Sequence, residues 1–336
     1  MRNVKKMIKR IAAALTILSV LGGCSPQRPK VDNDKKQTSD KPEKLSIVAT
    51  IFPQYDFSRQ LAGDLADITL LVEPGEEIHT FEPTPQDIIK IQNADLFIYA
   101  GGESESWVDG ILGSFDTKDI EIINMMDICD TVEEETVEGM ETEEQEQEEQ
   151  EEKETADAEP KEMDEHVWMS IDNAQVVSQA ITDALCEVDE ENSAVYIENC
   201  EKYLSSLSSL KKRISQTVSG GARDTIVFGD RFPARYFADE FGLEYYAAFP
   251  GCAEQSEPSA GTVAFLIEKV REEEIPVVFK IEMSNGKVAE TIAQSTDAEV
   301  LTFNSCHTVS MKQFLDGVTY IQLMEQNCEA LEKALY

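Results

Sequence analysis

From residue 45 to residue 126, apolar and polar positions follow a repeating βα rhythm. The segments KLSIVATIF, ITLLV, DLFIYAG and IEIINM read as strands, short apolar runs bounded by turn residues. Between them YDFSRQLAGDL, TPQDIIKIQNA and WVDGILGSF carry helical spacing, the second opened by Thr84 and Pro85. Residues 171–218 lack proline and keep helical periodicity through Ala174, Val177, Ile181 and Leu185, then Tyr203, Leu207, Leu210 and Ile214, with Asp189-Glu190-Glu191-Asn192 a candidate break. The rhythm returns with strands DTIVFG, LEYYAAF, IPVVFKIE and AEVLTF, three intervening helices and a terminal helix over 311–335. Strands that alternate with helices imply parallel sheets. The expected fold is α/β, two lobes each with a mainly parallel sheet flanked by helices. The amino-terminal lobe covers 45–130 and the carboxyl-terminal lobe 223–336, joined by a long backbone helix within 166–222.

The amino terminus changes the picture of where this body works. Arg2, Lys5, Lys6, Lys9 and Arg10 precede the apolar run Ile11 to Leu21, the form of an export signal over 1–23. That run is shorter than the roughly 20 residues a spanning helix needs. Leu21-Gly22-Gly23-Cys24 resembles the lipobox of bacterial lipoproteins, which makes Cys24 the expected lipidation site. Residues 24–44, polar and proline-containing, read as a flexible tether. The expected mature protein is a soluble body anchored by lipid to the outer face of the cytoplasmic membrane.

A formal net charge of −37 argues against nucleic acid as a partner. Much of that charge sits in residues 133–165, whose scarcity of large apolar side chains offers little burial to offset ordering entropy; 131–165 is therefore expected to be an acidic disordered loop. It is either a solvated insertion or a loose carboxylate store for divalent ions. The seven cysteines are scattered and form no dense framework. Cys252 and Cys306 both follow predicted strands, so they form either one bridge or two free thiols.

Only three histidines occur, His79, His166 and His307, each at a loop or element boundary beside a predicted strand or helix. Imidazole is the commonest zinc ligand, and three nitrogens with one oxygen make a tetrahedral set. Ligands in open α/β folds gather beyond the carboxyl ends of the strands, so an inter-lobe cleft is where the three can meet. The strand DTIVFG delivers Asp230 to the same edge. Glu282 ends a strand there, Arg231 is placed to pair with Asp230 or to steer its loop elsewhere, and Glu82 and Asp87 are placed to orient His79 or to cap and solvate. Trp107 and Trp168 read as packing residues.

IHTFEPTPQDI resembles the H-x-[YF]-E-P-T-P-x-D signature of the zinc- and manganese-binding receptors of bacterial ABC importers, and DEHVWMSIDNA is similar to their D-x-H-x-W-L-[SD]-P-x-N-A block. ADLFIYAGGESESWVDGIL and GCAEQSEPSAGTVAFLIEKVREEEIPVVFKIE look like further segments of that family, so the resemblance covers the chain from residue 45 onward. It implies a first metal ligand at His79 and a second at His166. The third ligand of the family is commonly a histidine in a strand-end loop, but here that loop reads VFGDRFP and offers Asp230. The fourth, usually a carboxylate, corresponds to the segment Ser305-Cys306-His307 and implies His307. The resemblance points to the high-affinity zinc uptake type: a monomeric, non-enzymatic receptor that delivers Zn2+ to a permease and its ATPase subunit. The alternatives are Mn2+ as cargo, a zinc-dependent hydrolase, or a surface protein of the related cell-adhesion type.

Overall fold

The computed structural model describes residues 44–77, 81–140, 162–253 and 258–336. Residues 1–23, read as an export signal, and Cys24 and His79 lie outside the described residues. Four strands build the amino lobe, β1 (Leu45–Ala49), β2 (Ala66–Leu70), β3 (Leu96–Tyr99) and β4 (Glu121–Asn124), in the order β2-β1-β3-β4. All pairs are parallel, with Ile47 opposite both Ile68 and Leu96. The carboxyl lobe repeats the plan with β5 (Thr225–Phe232), β6 (Glu244–Pro250), β7 (Val277–Ile281) and β8 (Glu299–Phe303), ordered β6-β5-β7-β8. In each sheet the chain order reverses beside the first strand, and the crevice that opens there is where such sheets hold ligands.

Local chemistry sets the helix starts. In the amino lobe α1 (Phe52–Ala62) begins with Pro53 in its first turn. In α2 (Pro85–Gln92) the Thr84 hydroxyl accepts from the Asp87 amide while the Asp87 carboxylate accepts from the Thr84 amide. Asp87 thus serves this cap and an ion pair with Lys90 at 2.8 Å. α3 (Trp107–Leu112) and α4 (Met125–Ile128) complete the lobe.

The span expected to hold one linking helix contains two. α5 (Ile171–Val188) stops at Asp189, whose carboxylate accepts from Asn192 at 2.6 Å and from the Tyr196 hydroxyl at 2.7 Å. Those side chains satisfy a turn where helix would otherwise continue, as Asp and Asn readily do. α6 (Ser193–Gly220) then runs back along α5, with Lys211 against Asp172 at 2.6 Å and Cys200 facing Gln179 at 3.8 Å. At 28 residues α6 is the long backbone of the fold. It meets the amino lobe where Asn199 donates to the Leu61 carbonyl at 2.9 Å.

The carboxyl lobe carries α7 (Arg235–Phe241), α8 (Ala260–Glu272), α9 (Lys287–Ser295), α10 (Met311–Leu315) and α11 (Tyr320–Leu335). The expected terminal helix is broken between α10 and α11, where Gly317 takes φ +75° and Thr319 caps the new start. The strand expected to end at Gly229 continues to Phe232 through an irregularity between Phe228 and Arg231.

One buried apolar cluster runs through both lobes, including Ile47 and Leu96 of the amino sheet, Tyr203 and Leu207 of α6, and Phe228 and Phe303 of the carboxyl sheet. Smaller clusters cover the outer face of each sheet. The described ends of the acidic stretch belong to this body as well. Glu133 bridges Met163, the Asp164 amide donates to the Val132 carbonyl at 2.9 Å, and Met140 is buried. The expected loop boundary at 131 therefore moves inward, with 131–140 and 162–165 folded and 141–161 outside the described residues.

Two buried carboxyl groups give measurable expectations. Asp56 is fully buried in α1 and accepts from the Tyr320 amide at 2.6 Å and from Arg59 Nε at 2.8 Å, tying α1 to the start of α11. Asp56→Ala strands that amide and the guanidinium, so a loss of about 3 kcal/mol is expected in denaturant unfolding. Glu105, beyond the end of β3, accepts from the Ala100 and Gly101 amides at 2.6 and 2.9 Å. Burial dominates its surroundings and pushes it from 4.5 up to about 7. The folded state thus holds this proton where the unfolded chain has lost it, and its contribution falls as pH rises from 4.5 to 7. Glu105→Gln should flatten that slope, worth on the order of 3 kcal/mol across the window, in unfolding curves compared at pH 5 and pH 8.

Candidate metal site

A cleft of about 390 Å3 opens at the strand ends. Its walls include Gly75, Glu76 and Glu77 from the loop after β2, and Asp230, Arg231, Glu282 and His307 from the carboxyl lobe. The His307 segment follows β8 and is fixed from several sides. Asn304 exchanges hydrogen bonds with Asn327 of α11 at 2.7 and 2.8 Å. The Ser305 carbonyl accepts from the Trp168 indole at 2.8 Å, the His307 carbonyl from the Phe52 amide at 3.2 Å, and the Thr308 hydroxyl from the Gly75 amide at 3.0 Å. Within this turn Cys306 sits at φ +63°, a conformation costing a non-glycine residue about 1–2 kcal/mol. The surrounding hydrogen bonds hold it there.

Both described histidines have Nδ1 engaged by an oxygen two residues upstream. His166, buried at 4% exposure, places Nδ1 3.0 Å from Asp164 Oδ1, which also accepts the His166 amide at 2.8 Å. A carboxylate at Nδ1 fixes the tautomer and leaves Nε2 as the ligating nitrogen. Burial alone would lower the proton affinity of His166, but Asp164, with Glu165 and Glu134 behind it, raises it above the usual imidazole range. His307 places Nδ1 2.8 Å from Ser305 Oγ, and that hydroxyl donates onward to Glu282 at 2.6 Å. With Glu282 as the terminal acceptor the relay turns His307 Nε2 into the acceptor. Glu282 also takes the Ser305 amide at 2.6 Å, and burial, only partly offset by these bonds, pushes its carboxyl above the ordinary range. Trp168, two residues after His166, bonds to the carbonyl of Ser305, two residues before His307, so the two histidine segments are clasped directly together.

Asp230 reaches the cleft as expected, held by amides: Oδ1 accepts from Arg231 at 3.0 Å and Oδ2 from Ile281 at 3.4 Å. Arg231 does not pair with Asp230 through its guanidinium. It crosses the cleft to Glu77 at 2.8 Å and donates to the Ala253 carbonyl at 3.3 Å. Gly229, one residue before Asp230, has no room for a side chain, because a Cβ there would lie 2.5 Å from Ala289 Cα of α9. Glu82 is exposed, and Trp107 packs on Phe81 with ring centroids 5.8 Å apart. Among the described residues no three His, Cys, Asp or Glu side chains close on a single metal position, and His79 falls outside them.

Of the two states left open for Cys252 and Cys306, the structure has the second, two free thiols. They occupy different surroundings. Cys306 is sealed in the interior with its thiol directed to the Asn304 carbonyl, whereas the Cys252 amide bonds the Glu134 carboxylate. Sequence reasoning missed Asp164, Ser305 and Glu77. The first two carried a signal, for Asp164-Glu165-His166 and Ser305-Cys306-His307 share an oxygen-bearing side chain two places before the imidazole. Glu77 carried none, as its partner is 154 positions away.

Residues 47–334 match the family described as ZnuA, zinc-uptake complex component A, periplasmic. The high-affinity zinc uptake system protein ZnuA of Bacillus subtilis is 31% identical over 325 residues, 97% of this chain and 96% of its own length. The zinc-binding lipoprotein AdcA of Streptococcus pneumoniae is 30% identical over 294 residues, 86% of this chain and 56% of AdcA, so the chain spans about half of that relative. The crystal structure of the metal-dependent lipoprotein YcdH from Bacillus subtilis is similar with a TM-score of 0.71 at 29% identity, covering 87% of this chain and 99% of that one. The Zn(II)-bound ZnuA-like domain of Streptococcus pneumoniae AdcA gives 0.68 at 28% identity over 87% and 99%. Because the family match runs unbroken through both lobes and both clasped histidine segments, the chain belongs to the ZnuA family.

Proposed function

We propose that this protein captures zinc outside the cell and hands it to an ABC-type permease driven by an ATPase subunit. The observation that carries the reading is the pair of imidazoles oriented through Nδ1 by Asp164 and Ser305, on two segments clasped by the Trp168 bond to Ser305, with His307 lining the inter-lobe cleft. Imidazole nitrogens whose outer positions are fixed by oxygen partners are built to ligate a borderline-soft cation. The proposed ligand set is His79, His166 and His307 with one carboxylate of the cleft, where Asp230 is the candidate from sequence. Three nitrogens with one oxygen suit zinc, whereas sites richer in carboxylate suit manganese better. Relatives named for zinc uptake and zinc binding support the same choice. Cys24, as a lipidated first residue, would keep the receptor at the membrane beside its permease.

Calorimetric titration of the metal-stripped protein tests the reading. Zinc should bind with submicromolar affinity at one site per chain and more tightly than manganese. His166→Ala and His307→Ala should each weaken it by on the order of 100-fold or more, as removing a ligand or its support does. Micromolar or weaker binding, or variants that bind like the parent, would count against capture. Acid should also weaken binding. Asp164 raises the proton affinity of His166, so zinc must displace a proton that becomes more prevalent as pH falls. Proton release on binding, read from the buffer dependence of the heat, checks that sign.

A further inference from the structure

Glu77 stands between Arg231 and His307. One oxygen, Oε2, lies 2.8 Å from Nη2 of Arg231, and the other, Oε1, lies 3.7 Å from Nε2 of His307. The carboxylate belongs to the amino lobe and both partners to the carboxyl lobe, so this contact spans the cleft. Zinc bonds to imidazole nitrogen and carboxylate oxygen at about 2.0–2.2 Å, so two ligands of a tetrahedral ion stand roughly 3.4 Å apart. The separation of Glu77 Oε1 from His307 Nε2 is already within a few tenths of an ångström of that value. Asp230 has both oxygens committed to amides, whereas the Oε2 partner of Glu77 is a cation that an incoming cation can replace.

We propose that Glu77 is a ligand of the captured divalent cation and that Arg231 is its resident competitor. This rests on the zinc-capture reading above and replaces Asp230 with Glu77 as the carboxylate in the set. Without metal, the guanidinium neutralises Glu77 in a cleft that also holds Asp230 and Glu282. On capture, the carboxylate turns toward the ion beside His307 and its pairing with Arg231 weakens. On release, Arg231 draws it back. Arginine suits this part because it stays charged at every physiological pH, and its second hydrogen bond, to the Ala253 carbonyl, keeps the guanidinium in place while Glu77 is away. The pair therefore sets a ceiling on affinity and speeds departure, both useful to a carrier that must give up its cargo.

The test is a double-mutant cycle on the purified full chain, stripped of metal. Zinc affinity is read by competition with a chelator, and zinc departure by stopped flow. Glu77→Gln should weaken zinc at least tenfold with faster departure. Arg231→Gln should tighten it several-fold with slower departure, and Arg231→Lys should fall between Arg231→Gln and the parent. In the double variant most of the gain from Arg231→Gln should vanish, because Arg231 acts chiefly through that carboxylate, and a gain as large as in the single variant would overturn the proposal. Without metal, the Gln variants and the double variant should melt at a similar temperature below the parent, a readout of the pair that needs no zinc. Parent-like zinc binding by Glu77→Gln, or weaker binding by Arg231→Gln, overturns the proposal while leaving zinc capture intact. A parent chain that binds no zinc overturns the capture reading and this inference together.

Discussion

The five residues 304–308 are the keystone of this molecule. They follow the last strand of the carboxyl lobe, yet their hydrogen bonds reach the amino end of α1 at Phe52, the loop after β2 at Gly75, and the indole of Trp168 beside the second histidine segment. Each bond has a backbone group at one end or both, so the turn cannot shift far without breaking them. The turn so held forces Cys306 into a left-handed conformation and orients His307 toward the cleft, a strained arrangement that persists because its surroundings over-determine it. A second tie beneath it, Asp56 to the Tyr320 amide, joins α1 to α11 in the fully buried interior.

These ties limit how the cleft can work. A receptor whose lobes share one apolar core, with α6 packed along α1 and α11, has no thin hinge about which to swing. Large closure would break the clasp between Trp168 and Ser305 and open apolar surface at a cost of roughly 25 cal/mol per Å2. Capture and release must then rely on small movements of side chains and of single loops. A carboxylate that exchanges one cation for another fits that limit, because its two oxygens already face the two partners.

The fold was legible because parallel strands covered on both faces leave continuous apolar runs, and helices that begin with Thr84-Pro85 or Ser259 announce their own starts. What escaped depended on partners that sequence order does not expose. The break at 316–319 rests on a single glycine conformation inside an otherwise helical pattern. The turn at 189–192 was visible as a polar run, but that α6 folds back along α5 follows only from tertiary pairs such as Lys211 with Asp172. At the cleft, His307 and Asp230 were in view from the sequence, whereas the orientation of Arg231 toward Glu77 instead of its neighbour Asp230 is a fact of the assembled cleft.

The residues that β5 offers to the cleft have the same tertiary origin. Gly229 lies against the backbone of Ala289, so even a methyl group there would displace α9 from the sheet. No side chain can be carried at position 229 while the helix packs so closely, so this end of β5 faces the cleft through Asp230 and Arg231. The imidazole that lines the cleft comes from the β8 loop, where His307 has an orienting hydroxyl in Ser305 and a buried acceptor behind it in Glu282. Beside it Arg231 presents a positive charge to the cleft. One close contact between a glycine and a helix backbone thus leaves the cleft's edge at β5 to a carboxylate and a guanidinium, two opposite charges side by side.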